Sequence, residues 1–239
     1  MPSLDDIARF QTSLSTGDVA WLHALVTDWQ IIADLSFSDL VLLVPDSASN
    51  GMWAGAQFSP PVDAPYPTTG PTTLPEDVAG TFVPAGRSDR FDEAPATGAV
   101  VEEQVEKLPD GQLVRARTIP VKRGGSTVAV ISSRRSESAP RTASELEATY
   151  LEAADELIDM IQRGEFPLEG VRSDLADSLR VGDGLIRTDG RGRVSYASPN
   201  ALSAYRRLGL AGDLVGAELG EVTTGLVDRR PTDRGPLGL

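Results

Sequence analysis

Six side chains in this 239-residue sequence have the chemistry to hold a small polar molecule. Trp53 offers a ring for stacking, Gln57 an amide, and Arg87, Arg90, Arg115 and Arg117 offer guanidinium groups in two closely spaced pairs. A flat ring, an amide and forked cations are what a nucleotide base and its phosphate need. Each also has a plainer reading: tryptophan on a strand usually fills a core, and arginines on a strand are usually solvated. Arg134 and Arg135 read as such a solvated hairpin end.

Other chemistry is closed to the sequence. There is no cysteine, which removes disulfides, thiolate nucleophiles, iron–sulfur ligation and thioether-linked chromophores. His23 is the single histidine, so no ordinary His/Cys zinc site can be assembled from this chain. "WLHALV" gives His23 no charged neighbour of the kind a phosphoacceptor histidine keeps, and a packed structural role is expected. No Gly-rich ATP-binding box with an acidic partner is present. No catalytic residue, metal site or evident cofactor is therefore assigned.

The formal net charge of −13 repels nucleic acid and anionic lipid at long range, so no direct nucleic-acid partner is expected. A local basic patch can still hold one small anion. "MPSLDDIARF" lacks the basic and apolar segments of a secretory signal, and no run approaches the ~18 apolar residues of a membrane span. A soluble, cytoplasmic protein without membrane contact is the expectation.

Periodicity supplies the elements that must position these groups. Residues 4–14 read as a short helix. Residues 15–36 read as one strong helix, capped by Ser15 or Thr16, with Val19, Leu22, Leu25, Val26, Trp29, Ile32 and Ala33 on one face. Residues 38–45 and 51–58 read as neighbouring strands. The proline-rich stretch 59–77 can be neither, and reads as a flap or a loop. A short strand at 78–83 and a short helix within 84–98, proline at its start and glycine after its end, come next. "AVVEEQVEKL", "QLVRARTIPV" and "STVAVISSR", joined by tight turns, read as an antiparallel meander. In the middle strand Val114, Ala116 and Thr118 alternate with Arg115 and Arg117, giving one apolar and one basic face.

The clearest helix is 142–163, with a Thr142/Glu145 capping box and Gly164 as its stop. Leu146, Tyr150, Ala153, Leu157 and Met160 form one apolar stripe, and Leu151, Ala154, Ile158 and Ile161 a second beside it. Two stripes suit a helix that packs on its own domain and on a partner helix, which makes a homodimer the expectation. Packing against its own sheet alone is the competing reading. Residues 165–171 read as a linker, and "SDLADSLRV" as a short capped helix.

"DGLIRTDGRGRVSYASPNALSAYRRLGLAGDLVGAEL" then gives a strand, a turn built on Asp189, Gly190 and Gly192, a second strand, and a helix opened by Pro199 with Asn200 in its first turn. That order resembles the start of a PAS domain. The resemblance covers about residues 175–221, and the remaining residues, 222–239, cannot supply the three further strands that such a domain needs. The expectation is therefore the front part of a PAS domain at 172–239, in a chain that is itself the front part of a longer protein. Before it, the order of helix, two strands, proline-rich loop, short helix, meander and exit helix resembles a GAF domain over 1–164, its exit helix at 143–163. The fold class is then α+β: a GAF-like antiparallel sheet with flanking helices, followed by a truncated PAS-like α+β part.

GAF and PAS domains in tandem without a membrane anchor resemble the sensory half of actinobacterial cytosolic sensor histidine kinases, most nearly those of phosphorylation-dependent transcriptional antitermination. The resemblance implies a two-component kinase whose dimerising phosphoacceptor helices and ATP- and Mg-binding domain lie beyond this chain. It also implies a cognate response regulator as partner. The N-K-x-F-D-E-like set of cyclic-nucleotide GAF domains is missing, so ligand identity does not carry over; a cyclic nucleotide is one possible GAF ligand. The alternative is a constitutive dimerisation or scaffold module with no ligand.

Overall fold

Ser3 and Ser15 each start a helix in the same way. Their hydroxyls accept the N–H of Asp6 and Asp18, whose carboxylates take the serine N–H in return. In the computed structural model these caps open α1 (Leu4–Gln11) and α2 (Thr16–Asp28). The structure describes residues 3–60, 74, 77–102, 105–108, 111–137, 144–167 and 180–228. It divides into two units, Met1–Leu179 and Arg180–Leu239.

The single helix expected over 15–36 is two. α2 ends at Trp29 (φ −69°, ψ −10°), and α3 (Gln30–Ser36) starts from the same residue. Apolar residues run through the break, so their spacing does not betray it. Phe37 closes α3 in the left-handed region at φ 54° and delivers the chain to β1 (Asp39–Pro45). β2 (Gly51–Phe58), β3 (Phe82–Pro84), α4 (Asp89–Thr97), β4 (Val101–Glu102), β5 (Glu106–Lys107), β6 (Leu113–Arg123), β7 (Ser126–Glu137) and α5 (Glu145–Arg163) complete the first unit. All strand pairings are antiparallel, in the order β3-β2-β1-β7-β6-β4, with β5 also on β6.

Several boundaries differ from the sequence reading. "AVVEEQVEKL" is not one strand: β4 and β5 pair separately with β6. The helix within 84–98 has no proline at its start: Pro84 ends β3, and Pro95 sits inside α4, where it forgoes one backbone hydrogen bond. α5 is capped by Ser144, whose hydroxyl accepts the Glu147 N–H; Thr142 lies outside the described residues. Most of the proline-rich stretch, residues 168–171 of the expected linker, and most of the capped helix after it also lie outside them. The Gly124–Gly125 turn between β6 and β7 has both residues at positive φ, 57° and 84°, the two-residue geometry that matches strand twist.

The sheet has two covered faces. Leu40, Leu42 and Val44 of β1, with Ile119, Val121 and Ile131, meet Leu22, Leu25, Trp29, Ile32, Ile158 and Ile161 of the helices. The residues between them in β1, Val41 and Leu43, face the other way with Val130, Met52, Ala54, Leu74 and Ala94. Burial on both faces explains why β1 reads as a continuous apolar run. Each fully buried large aliphatic side chain contributes roughly 1.5–3 kcal/mol.

The second unit has β8 (Ile186–Thr188) paired with β9 (Val194–Ala197), then α6 (Pro199–Arg207) and α7 (Leu219–Asp228). Asp189 Oδ1 accepts the N–H of Arg191 and of Arg193, which closes the turn and lowers the carboxyl's pKa. Ser198 caps α6, and its hydroxyl also accepts the Leu185 N–H. Residues 216–219 return alongside β9 through bonds between Val194 and Gly216 and Ala217. Val194, Ala197 and Leu214 form the small buried core.

Candidate functional site

Beneath α4, on the sheet face away from the other helices of the first unit, lies a cavity of about 910 Å³. Val41 and Leu43 of β1, Ala54 of β2 and Leu74, Val78, Val83 and Phe91 give it an apolar lining. Its polar lining is Arg87, Ser88, Arg90, Thr81, Ser132 and Arg134. The turn into α4 sets the first of these: Gly86 takes φ 75°, and its N–H donates to Asp92 Oδ2 at 2.9 Å. Arg90 lies over the Phe91 ring, 4.6 Å from its centroid. Thr118, paired with Ser132 across β6 and β7, is fully buried, and its hydroxyl has no hydrogen-bond partner among the described residues.

The structure does not gather the six sequence-derived residues into one site. Arg87 and Arg90 line the cavity together. Trp53 packs with the helix-side core; its indole N–H donates to Asp46 Oδ1 at 3.0 Å and holds that carboxyl below its usual pKa range. Gln57 is also committed, its Oε1 accepting the Val78 N–H at 2.8 Å. Arg115 and Arg117 lie on the opposite face. Register explains this: Ala116 pairs with Arg134 and Thr118 with Ser132 on the cavity side, so the alternate residues turn towards α5.

There the two arginines meet carboxylates. Arg115 makes two bonds to Glu137, Nε to Oε2 at 2.9 Å and Nη2 to Oε1 at 3.1 Å. The pair holds the Glu137 carboxyl below its usual range and raises the Arg115 pKa. Arg117 joins Glu102 of β4 at 3.2 Å to Asp155 of α5 at 2.6 Å. Arg115, Arg117, Glu102 and Asp155 border a second hollow of about 210 Å³ with Ser36, Ser38, Ser133 and Arg135. A guanidinium already matched by carboxylates has little to offer a free anion.

Arg134 is the cavity residue that sequence reading missed. A signal existed: it stands two residues from Ser132 and four from Val130, which puts all three on one face of β7. His23 also differs from expectation. It is half-exposed, and its Nε2 lies 2.8 Å from Asp5 Oδ1 of α1, an acidic neighbour supplied from 18 residues upstream.

In α5, Tyr150, Ala153, Ala154, Ile158 and Ile161 are buried, while Leu146, Leu157 and Met160 are half-buried. The helix thus packs on its own sheet with parts of both stripes and leaves an apolar edge. Among the described residues no helix is long and apolar enough to cross a membrane, and no acidic or histidine cluster could hold a metal ion.

The sequence pattern of the family described as the GAF domain of the histidine kinase PdtaS matches residues 4–154. The chain belongs to that family. The matched span covers the whole sheet, the cavity and the first half of α5. Relatives extend the likeness into the second unit. The sensor histidine kinase PdtaS of Mycobacterium tuberculosis is 38% identical over 234 residues, and that of Mycolicibacterium smegmatis 34% over 231. Each alignment takes in 95% of this chain and 44% of the relative, so the chain spans under half the length of these kinases. A solved structure described as the sensor region of a sensor histidine kinase superposes with a TM-score of 0.75 at 36% identity, covering 94% of this chain and 75% of that one.

Proposed function

We propose that this chain is the sensory input region of a cytoplasmic two-component histidine kinase. The observation that carries the reading is the open cavity of about 910 Å³ within a domain of the PdtaS GAF family. That volume lies in the range of small-molecule sites. A ligand there favours one arrangement of the α4 side of the sheet, and α5 carries the change onward by population shift. Arg117 supplies a link, because it binds β4, which follows α4, and α5 at once. Residues 172–239 act as the start of a PAS domain, 165–171 as the linker, and α5 as the seam of a homodimer through Leu146, Tyr150, Ala153, Leu157 and Met160. The kinase domain, with its ATP and Mg, and the contact with a response regulator belong to the longer protein. The length of the curated relatives supports this.

The test is to purify the natural protein and incubate it with labelled ATP and Mg. A product longer than 239 residues that labels itself on histidine, and passes the phosphoryl group to a response regulator, is expected. A natural product without kinase activity favours the constitutive scaffold instead.

A further inference from the structure

We propose that Asn50 is a modification site: in the folded chain it converts spontaneously to aspartate and isoaspartate, and the isoaspartate form loosens the β3 wall of the cavity. The conversion stands apart from the sensory reading. Only its consequence for a sensed compound rests on that reading.

Asparagine is a thermolabile residue, and the chemistry needs its amide beside a backbone nitrogen that no side chain shields. The Gly51 nitrogen attacks Asn50 Cγ. The new N–Cγ bond closes a five-membered succinimide, the Cγ–Nδ2 bond breaks, and the Gly51 proton leaves with the amide nitrogen as ammonia. Water then opens the ring. Opening at Cγ gives aspartate. Opening at the former main-chain carbonyl gives isoaspartate, in which the chain runs through the side-chain carbon.

Asn50 and Asn200 are the two asparagines of the chain, and the first alone precedes glycine. The structure sets them in opposite situations. Asn50 is exposed in the turn between β1 and β2, and its side-chain amide makes no hydrogen bond among the described residues. Its own N–H reaches Asp46 Oδ2 only at 3.5 Å, and Ser49 before it takes a left-handed φ of 58°. Gly51 has no side chain to cover its nitrogen and cannot carry one. At its φ of 152° a Cβ would stand 2.1 Å from the Val83 carbonyl oxygen. Asn200 is the built-in contrast. It lies in α6, its Nδ2 donates to the Gly182 carbonyl at 2.9 Å, and the next N–H, of Ala201, donates to Ser198 Oγ at 3.3 Å.

The position of Asn50 carries the change to the cavity. Its carbonyl accepts the Ala85 N–H at 2.8 Å, and Gly51, Met52 and Trp53 pair with Pro84, Val83 and Phe82. These contacts hold β3 on β2, and Phe82 and Val83 line the cavity. Isoaspartate adds one carbon to the chain before Gly51 and turns the acceptor carbonyl into a free carboxylate. The close approach of Val83 to Gly51 leaves no room for that carbon, so the Gly51–Pro84 register is lost and this end of β3 is released. Aspartate adds a charge beside Asp46 but keeps the backbone.

The test is to age the whole 239-residue chain in mildly alkaline buffer at body temperature and map its peptides by mass. Isoaspartate methyltransferase with a labelled methyl donor marks the isoaspartate. The peptide with residue 50 is expected to lose its amide and take the label, while the peptide with Asn200 keeps its amide. The same peptide of Asn50→Ala should take no label. Hydrogen exchange at the Ala85 N–H should quicken by ~10-fold in the isoaspartate form, as loss of its hydrogen bond predicts. Freshly prepared Asn50→Asp should leave that exchange unchanged. An Asn50 that keeps its amide in the folded chain, under conditions where the urea-unfolded chain loses it, overturns the proposal. Equal loss at Asn200 overturns it too, since the fold would then select neither site. Conversion without faster exchange at Ala85 overturns the link to the cavity wall and leaves the sensory reading untouched.

Discussion

Arg115 and Glu137 meet through two hydrogen bonds at the end of the β6–β7 hairpin, and the arginine's grip lowers the carboxyl's pKa. That direction fixes the sign of the pH effect. A carboxyl whose folded pKa lies below its unfolded value, about 4.3 for glutamate, contributes stability above that value. The contribution is lost as pH falls through the lower folded value. The side chains are 40% and 29% exposed, so solvent screens the pair and its worth at neutral pH is about 0.2–1 kcal/mol. Glu137→Gln should therefore cost about that much in urea unfolding at pH 7, and the gap to the parent should close as the pH falls through the carboxyl's lowered folded pKa. A gap that persists unchanged in acid would show that the glutamine disturbs packing and not charge. Arg115 also illustrates what residue type alone conveys. Its chemistry suits a phosphate, but the register of β6 turns it to the face where Glu137 waits, and Arg134 reaches the cavity instead.

α5 is the element on which packing and signalling readings diverge. Ile158 and Ile161 are buried in the main core, whereas Met160 between them is half-buried. Ile158→Ala should cost about 2–5 kcal/mol, through lost burial and an unfilled cavity. Met160→Glu should cost less than ~1 kcal/mol, because the residue lies at the helix edge. If that edge is a dimer seam, Met160→Glu also lowers the sedimentation mass at fixed concentration, while Ile158→Ala leaves the mass of the folded fraction unchanged. An unchanged mass for Met160→Glu would remove this edge as a seam. The same helix shows how far patterns reach. Its two apolar stripes were legible in the sequence, as were β1, β2, β6, β7 and the Gly–Gly turn, because strand alternation and turn chemistry are local. The break at Trp29 was not, since the three-dimensional core makes it with apolar residues on either side. The division of the candidate site was not legible either. A period of two sorts residues into two faces, but only the order of strands and helices decides what each face meets. That is why Arg87 and Arg90 fell beside the cavity and Arg117 fell beside Asp155.

At the scale of the whole molecule the two units differ in how much core they own. The first holds two large clusters on either side of one sheet, the larger built from four helices and the central strands, and neither includes a residue beyond 179. Among the described residues the second has one small cluster, Val194, Ala197 and Leu214, with partly buried neighbours such as Ile186, Leu202, Tyr205 and Leu219, and a few further buried apolar side chains, Val181, Ala201 and Leu226. A two-stranded ribbon with so little burial is marginal by itself. Conformational entropy of roughly 1–2 kcal/mol per ordered residue must be offset, and a few aliphatic side chains do not offset it for some fifty residues. Residues 1–167 alone should therefore unfold in one cooperative calorimetric transition, within a few degrees of the main transition of the full chain. Residues 180–239 alone should show no such peak. If 1–167 melts broadly or far lower, the first unit depends on contacts its own clusters do not contain, and the cavity would have to be studied only in the longer chain. If it melts as expected, ligand titrations on this fragment should reproduce those on the whole chain, because every described lining residue, from Val41 to Arg134, is present in it.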